Sequence, residues 1–310
     1  MSRAALVPAV RGLSDEAATG RLPLVWISKG YPFAAELVRR LDSRVPVIAD
    51  FDDHDIRLAR EFVAEGVGNR LRLHPLRPGS PERVARAQKT VVARADAFTS
   101  ASDALAASLG LPPSTVRVPH ARPDLTVEAG VSGVPRSGRT RIGFMGTMRA
   151  HKGFDELVAA LRGDPALELV TFAQAGMRAP AGFEDRWRTL APDTPLSQAY
   201  AQVDVAVLPM SRSSAAADLQ LPAKAIDAAA ASTPIAATPT TVLEEYFAEH
   251  LIRVDDWSQL GRLLGGPGTQ ERLARAGAGL RSIWQERLSV DVVRGAVGRM
   301  VTDGLGLELP

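Results

Sequence analysis

Cysteine is absent from this 310-residue chain. That excludes disulfides, thiolate metal sites and a thiol nucleophile, and leaves the redox compartment open. Lysine is scarce: only four occur, so most of the 37 basic residues are arginine. Set against 35 acidic residues they leave a formal charge of +2, too small to argue for nucleic acid as a partner. No apolar run approaches the ~20 residues of a membrane-spanning helix. The short stretch from Ala4 to Val10, followed by Arg11, Asp15 and Glu16, makes a poor signal peptide. The expected location is the cytoplasm, or the inner face of a membrane as a peripheral protein.

What is present is an ordinary globular composition, 45% hydrophobic and 23% charged, enough to fill one large or two modest α/β cores. Short apolar, β-rich runs alternate with helix-period segments, the pattern of parallel sheets covered by helices. Strands are expected at 24–27, 45–49, 97–99 and 115–118, then at 141–145, 167–172, 205–208, 235–237 and 251–254. Phe33, Leu37, Val38 and Leu41 mark one face of a helix at 32–41. Residues 121–140, rich in Pro, Gly, Ser and Arg, read as a hinge-like linker. The expected architecture is therefore α/β, two facing Rossmann-like doubly wound domains, 1–130 and 137–310, with a cleft between them. The last helix, near Val290 to Val301, is expected to cross back to the first domain.

Two of the four lysines, Lys152 and Lys224, stand where predicted helices begin. A helix N-terminus already carries roughly half a positive charge, so a cation in its first turn is misplaced unless an anion joins it. The pair suggests a phosphate site.

The motifs around them are specific in combination. Gly143-Phe-Met-Gly146-Thr147-Met-Arg149-Ala-His151-Lys152-Gly153, then Val203-Asp204-Val-Ala-Val-Leu208-Pro209, then Leu221-Pro222-Ala-Lys224-Ala-Ile-Asp227 running to Ser232-Thr-Pro234-Ile235, resemble the donor domain of the large retaining "group 1" family of two-Rossmann (GT-B type) glycosyltransferases. Order and spacing agree over about residues 24 to 250; each motif alone is weak. Departures from the family pattern are Thr147 in place of an arginine, Ser232 in place of a glycine, and a paired-glutamate motif reduced to Asp227, with Leu219 at its first position and Asp218 beside it.

The resemblance implies transfer of a sugar from a nucleoside-diphosphate sugar, with retention, to a glycan, lipid-linked or small-molecule acceptor. It implies no metal and no cofactor beyond that donor. Charge appearing on the leaving β-phosphate would be met by Lys152, Lys224 and Arg149. The amides of Gly146 and Thr147 and those following Leu221 would add neutral donors, with Pro222 at the first helical position. Asp227 is either a ribose ligand or an i,i+3 partner of Lys224, and the base is expected near 171–176. On the acceptor side the candidates are Asp52, Asp53, His54 and His120, the last in a turn that also holds Asp124. The run Asp50, Asp52, Asp53, His54, Asp55 also permits a divalent-cation reading. Two other classes stay open: an NAD(P)-dependent dehydrogenase, on the glycine turn at 143–146, and a non-catalytic glycosyltransferase-like partner subunit.

Overall fold

The computed structural model describes residues 12–13, 23–64, 66–75, 77–126, 138–146, 153–174, 178–212 and 214–308. Two parallel sheets organise them. The first joins β1 (Val25–Ile27), β2 (Val47–Phe51), β3 (Ala97–Ser100) and β4 (Val116–Arg117) in that order. The second has the order β10-β9-β8-β5-β6-β7, built from β5 (Thr140–Phe144), β6 (Leu167–Phe172), β7 (Trp187–Leu190), β8 (Val205–Leu208), β9 (Ile235–Ala237) and β10 (Leu251–Arg253). Every strand pair is parallel, so each connection within a sheet must cross over, and helices supply the crossovers except between β6 and β7, where the described residues hold only the 3-10 turn Glu184–Arg186. This is the α/β class with two parallel sheets that the alternation predicts, and the second sheet reverses its winding at β5.

Uninterrupted apolar runs place β8 and β9 to the residue, because strands buried on both faces have no polar alternation to blur their ends; β6 also falls at 167–172, although Glu168 and Thr171 interrupt it. β2 begins at Val47, later than the 45–49 reading. Pro46 has no N–H for a ladder and serves only as acceptor, from the Val25 amide. β7 was not anticipated. Its buried Trp187 and Leu190 enclose Arg188 and Thr189 and follow the charged turn Glu184–Arg186, so the four residues read as polar.

By contact the chain forms two compact units. One comprises Met1–Pro119, Ser214–Gln220 and Arg294–Pro310; the other comprises His120–Ser213 and Leu221–Val293. In the first, β2 is covered on both faces. Val47 and Ala49 pack with Val38, Val91 and Leu105, while Ile48, pointing the other way, meets Met300 and Val301. The segment Ser214–Gln220 belongs to this unit by side chain as well as contact. Leu219, 6% exposed, joins the same cluster as Val47, a burial that stabilises by about 1.5–3 kcal/mol. The Glu61 carboxylate accepts from Ser214 Oγ at 2.6 Å and from the Ala216 amide at 2.9 Å.

In the second unit, Ile142 and Phe144 of β5 and Val205 and Val207 of β8 pack with Leu157, Leu161, Trp187 and Leu260. The helix Ala223–Ala230 is alanine-rich, which favours helix and admits close packing, and its residues 225–230 are all buried. It stops where Ser232 adopts φ 56°, a left-handed conformation that favours glycine. The Thr233 amide then closes back on the Ala228 carbonyl at 2.8 Å. Residues 121–126, read from sequence as linker, are instead a packed strap of this unit. The Arg122 amide donates to the Leu288 carbonyl, and the Leu125 amide to that of Ala230. The rest of the expected linker, 127–137, lies outside the described residues. No described helix is long and apolar enough to cross a membrane.

Candidate functional site

Open parallel sheets bind ligands at the carboxyl ends of strands where the winding reverses. In the second unit that point is β5, which has β6 on one side and β8 on the other. The glycine turn leaves β5 here. Gln174, just past β6, donates from Nε2 to the Gly146 carbonyl at 2.9 Å and fixes the turn. Gly153 stands over the Leu208-Pro209 turn that leaves β8. It has φ 84°, and a Cβ there would lie 2.3 Å from the Pro209 ring. Of the expected phosphate-site residues, Thr147, Arg149 and Lys152, which fall between these two glycines, lie outside the described residues.

Lys224 sits in the first turn of the helix Ala223–Ala230, with its ammonium 3.6 Å from the centroid of the buried Phe144 ring. Its aliphatic stem runs past Gly146, where a Cβ would approach Lys224 Cδ to 3.0 Å. The backbone of this turn is fixed by Tyr200, whose hydroxyl donates to the Lys224 carbonyl at 3.0 Å. Leu221 is buried. Pro222 is the N-cap residue, one position before its expected place. Thr171, in the region expected to meet the base, is buried and accepts from the Trp187 indole.

Asp227 follows one turn later on the helix and is 5% exposed. Its Oδ1 accepts from Arg122 Nε, a partner 105 residues away that the reading of Asp227 as a partner of Lys224 did not include. Burial raises the Asp227 pKa, against the opposing pull of Arg122 and, more weakly, of His120. His120, expected on the acceptor side, thus belongs to the same unit as Asp227 and acts on its charge. Asp124 is held in its ionised form, well below the ordinary carboxylate range, chiefly by hydrogen bonding with Arg281. Tyr200 is buried, which pushes its phenol well above its usual value, with Asp227 adding to the shift.

The acidic run forms a separate cluster in the first unit, at the carboxyl ends of β1 and β2. Its centre is Lys29, a residue that sequence reading passed over. The ammonium lies 3.2 Å from Asp52, 3.2 Å from Asp53 and 3.5 Å from Asp55, with φ 141° at its Cα. Burial would lower the Lys29 pKa, but the carboxylates of Asp55, Asp53 and Asp52 outweigh it and raise it. Tyr31 donates to Asp55 at 3.0 Å, and burial, reinforced by Asp55, pushes its pKa to about 12. Gln220 donates to Asp53 at 2.7 Å. Asp50 points elsewhere, to Thr99 Oγ1 at 2.7 Å. His54 is buried, its pKa lowered by burial and then by Arg57. Among the described residues no group of three or more His, Asp or Glu side chains is arranged to hold a metal ion; a lysine occupies the middle of the only acidic run that suggested one.

Comparison with known structures places this geometry. The chain matches Anabaena Alr3699/HepE in complex with UDP over 96% of this chain and 82% of that one, with a TM-score of 0.68 at 13% identity. It matches the same protein in complex with UDP-glucose over 90% and 78%, with a TM-score of 0.65 at 15% identity. A glycosyltransferase from Rickettsia africae ESF-5 matches over 99% and 83%, with a TM-score of 0.67 at 10% identity. The fold is therefore that of two-Rossmann, GT-B type glycosyltransferases. No protein-family model and no curated protein sequence matches the chain.

Proposed function

We propose that the chain is a glycosyltransferase that moves a sugar from a nucleoside-diphosphate sugar to a glycan, lipid-linked or small-molecule acceptor, retaining anomeric configuration. The carrying observation is Lys224, an ammonium held over Phe144 beside the Gly146 turn at the reversal point of the second sheet. Negative charge that grows on the leaving phosphate meets a cation there that needs no reorganisation to receive it. Lys152 and Arg149, with the amides of Gly146 and Thr147, are assigned to the same phosphates, and Asp227 to the ribose hydroxyls. Asp52, Asp53 and His54 are assigned to the acceptor side.

The test is the thermal midpoint of the full chain with UDP, GDP, dTDP, ADP or CMP, each with and without EDTA. HepE is described with UDP and UDP-glucose, which makes uridine the first base to try. A ligand at 100 times its dissociation constant stabilises by about 2.7 kcal/mol. UDP is expected to raise the midpoint equally in EDTA. No shift with any of the five nucleotides would sink the donor-site reading, and a shift that EDTA removes and manganese restores would transfer the leaving-group chemistry to a metal.

The dehydrogenase reading needs a carboxylate after the second strand of its sheet to hold the ribose. After β6 the chain has Gln174, engaged with Gly146, which favours the transferase. The partner-subunit reading draws on Leu219. Where the family pattern has its first glutamate, this chain has a leucine packed in the first unit's core. Slow hydrolysis of UDP-glucose in the absence of acceptor separates an enzyme from such a subunit.

A further inference from the structure

We infer that Arg122 is a positioning residue for the nucleotide site: by holding Oδ1 of Asp227 it presents the other oxygen of that carboxylate to the ribose hydroxyls. The inference rests on the donor-site reading above and adds a residue that the family pattern does not supply. Three observations converge on it.

The first is that Arg122 arrives already fixed. Its amide donates to the Leu288 carbonyl at 3.2 Å, and its carbonyl accepts from the Trp284 indole at 3.1 Å. Two residues on, Asp124 is gripped by Arg281, which lies 4.1 Å from the Trp284 ring centroid. The second is that the strap runs along one face of the Lys224 helix. Arg122 bonds to Asp227, and Leu125 bonds to Ala230, three residues later. A guanidinium delivered on a pinned backbone loses little freedom when it bonds, so the carboxylate it holds is oriented before any ligand arrives.

The third is the use made of the carboxylate. Among the described residues no hydrogen bond other than that from Arg122 reaches it. The charged and titratable groups acting on it are Arg122, the exposed His120 and the buried Tyr200. Burial alone would favour the protonated form; Arg122 opposes this. An ionised Oδ2 accepts a charge-assisted hydrogen bond from a hydroxyl, whereas a protonated one has to share its proton.

The test compares Arg122→Gln, which removes the charge but keeps a donor, with Arg122→Lys, which keeps the charge. The Asp227 carboxyl carbon is titrated by NMR in the ligand-free protein, assigned by its loss in Asp227→Asn, and UDP affinity is measured calorimetrically across pH. In Arg122→Gln the titration should move to higher pH. UDP affinity should then fall about tenfold for each unit by which the pH lies below the new midpoint, and recover above it. Arg122→Lys should follow the wild-type profile. An unmoved titration, or equal loss of affinity at every pH in both variants, overturns the inference, as does a moved titration with unaltered UDP affinity. A wild-type protein that binds no UDP at any pH removes the ribose role along with the donor-site reading, while the titration still decides whether Arg122 governs Asp227.

Discussion

Lys224→Ala is expected to lower sugar transfer by roughly 10²–10³-fold, about 2.7–4 kcal/mol in transition-state stabilisation, and to leave folding almost untouched. The two halves of that expectation come from different terms. Removing the ammonium forfeits its contact with Phe144, about 0.5–2 kcal/mol for a cation over an aromatic face. It also removes a cation from the positive end of a helix, which returns about 0.3–1 kcal/mol. These nearly cancel, so the thermal midpoint should stay close to that of the wild type. Nothing comparable offsets the loss at the leaving phosphate. Steady-state transfer kinetics beside a thermal melt read both quantities, and Lys152→Ala should show the same functional loss. Unchanged turnover in both variants, with the fold intact, would remove the phosphate site from this end of the sheet.

A second large effect is expected from Gly153→Ala, this time on the fold. Its Cβ would lie 2.3 Å from the Pro209 ring and 2.4 Å from the Pro209 carbonyl oxygen, at a φ of 84°. An L-residue in a left-handed conformation costs roughly 1–2 kcal/mol, and forcing an extra carbon into packed backbone costs about 1–3 more. Chemical denaturation should record a loss of about 2–5 kcal/mol together with weakened nucleotide binding. Gly146→Ala is the informative contrast. Among the described residues the three atoms nearest its Cβ all belong to the flexible Lys224 side chain, the first at 3.0 Å, so stability should hold while the ammonium is displaced and transfer falls. Equal stability of Gly153→Ala and wild type would mean that the turns after β5 and β8 are not packed as described.

The fold was legible because strands buried on both faces announce themselves as unbroken apolar runs, as at 205–208 and 235–237. The placement of Lys224 was legible because a cation at a helix start contradicts the local field. Ser232 was legible as an anomaly: the family pattern has glycine there, and the residue adopts φ 56°. What escaped notice depended on distance along the chain. Arg122 is one arginine among many, and nothing local singles it out; its meaning lies in a carboxylate 105 residues away. Lys29 stands after a three-residue strand, and its partners at 52, 53 and 55 looked like a metal-binding run because the cation inside them comes from another strand. Glu61 resembled any helix-surface glutamate until the segment at 214–216 was seen bonded to it.

The path of the chain through the first unit also fixes when that unit can mature. Its sheet is written in the first 119 residues, but the face of Ile48 is covered by Met300 and Val301, and Leu219 completes the other side. Met300 and Val301 therefore leave the ribosome long after Ile48, and the strand around Ile48 acquires its last neighbours only then. Until then Ile48 and the strand around it must wait partly uncovered, in the window where growing chains are most prone to associate. The second unit needs nothing made after Val293. The sheet of the first unit thus becomes secure only once Met300 and Val301 have been made, and a stop codon just before Met300 would leave the face of Ile48 uncovered.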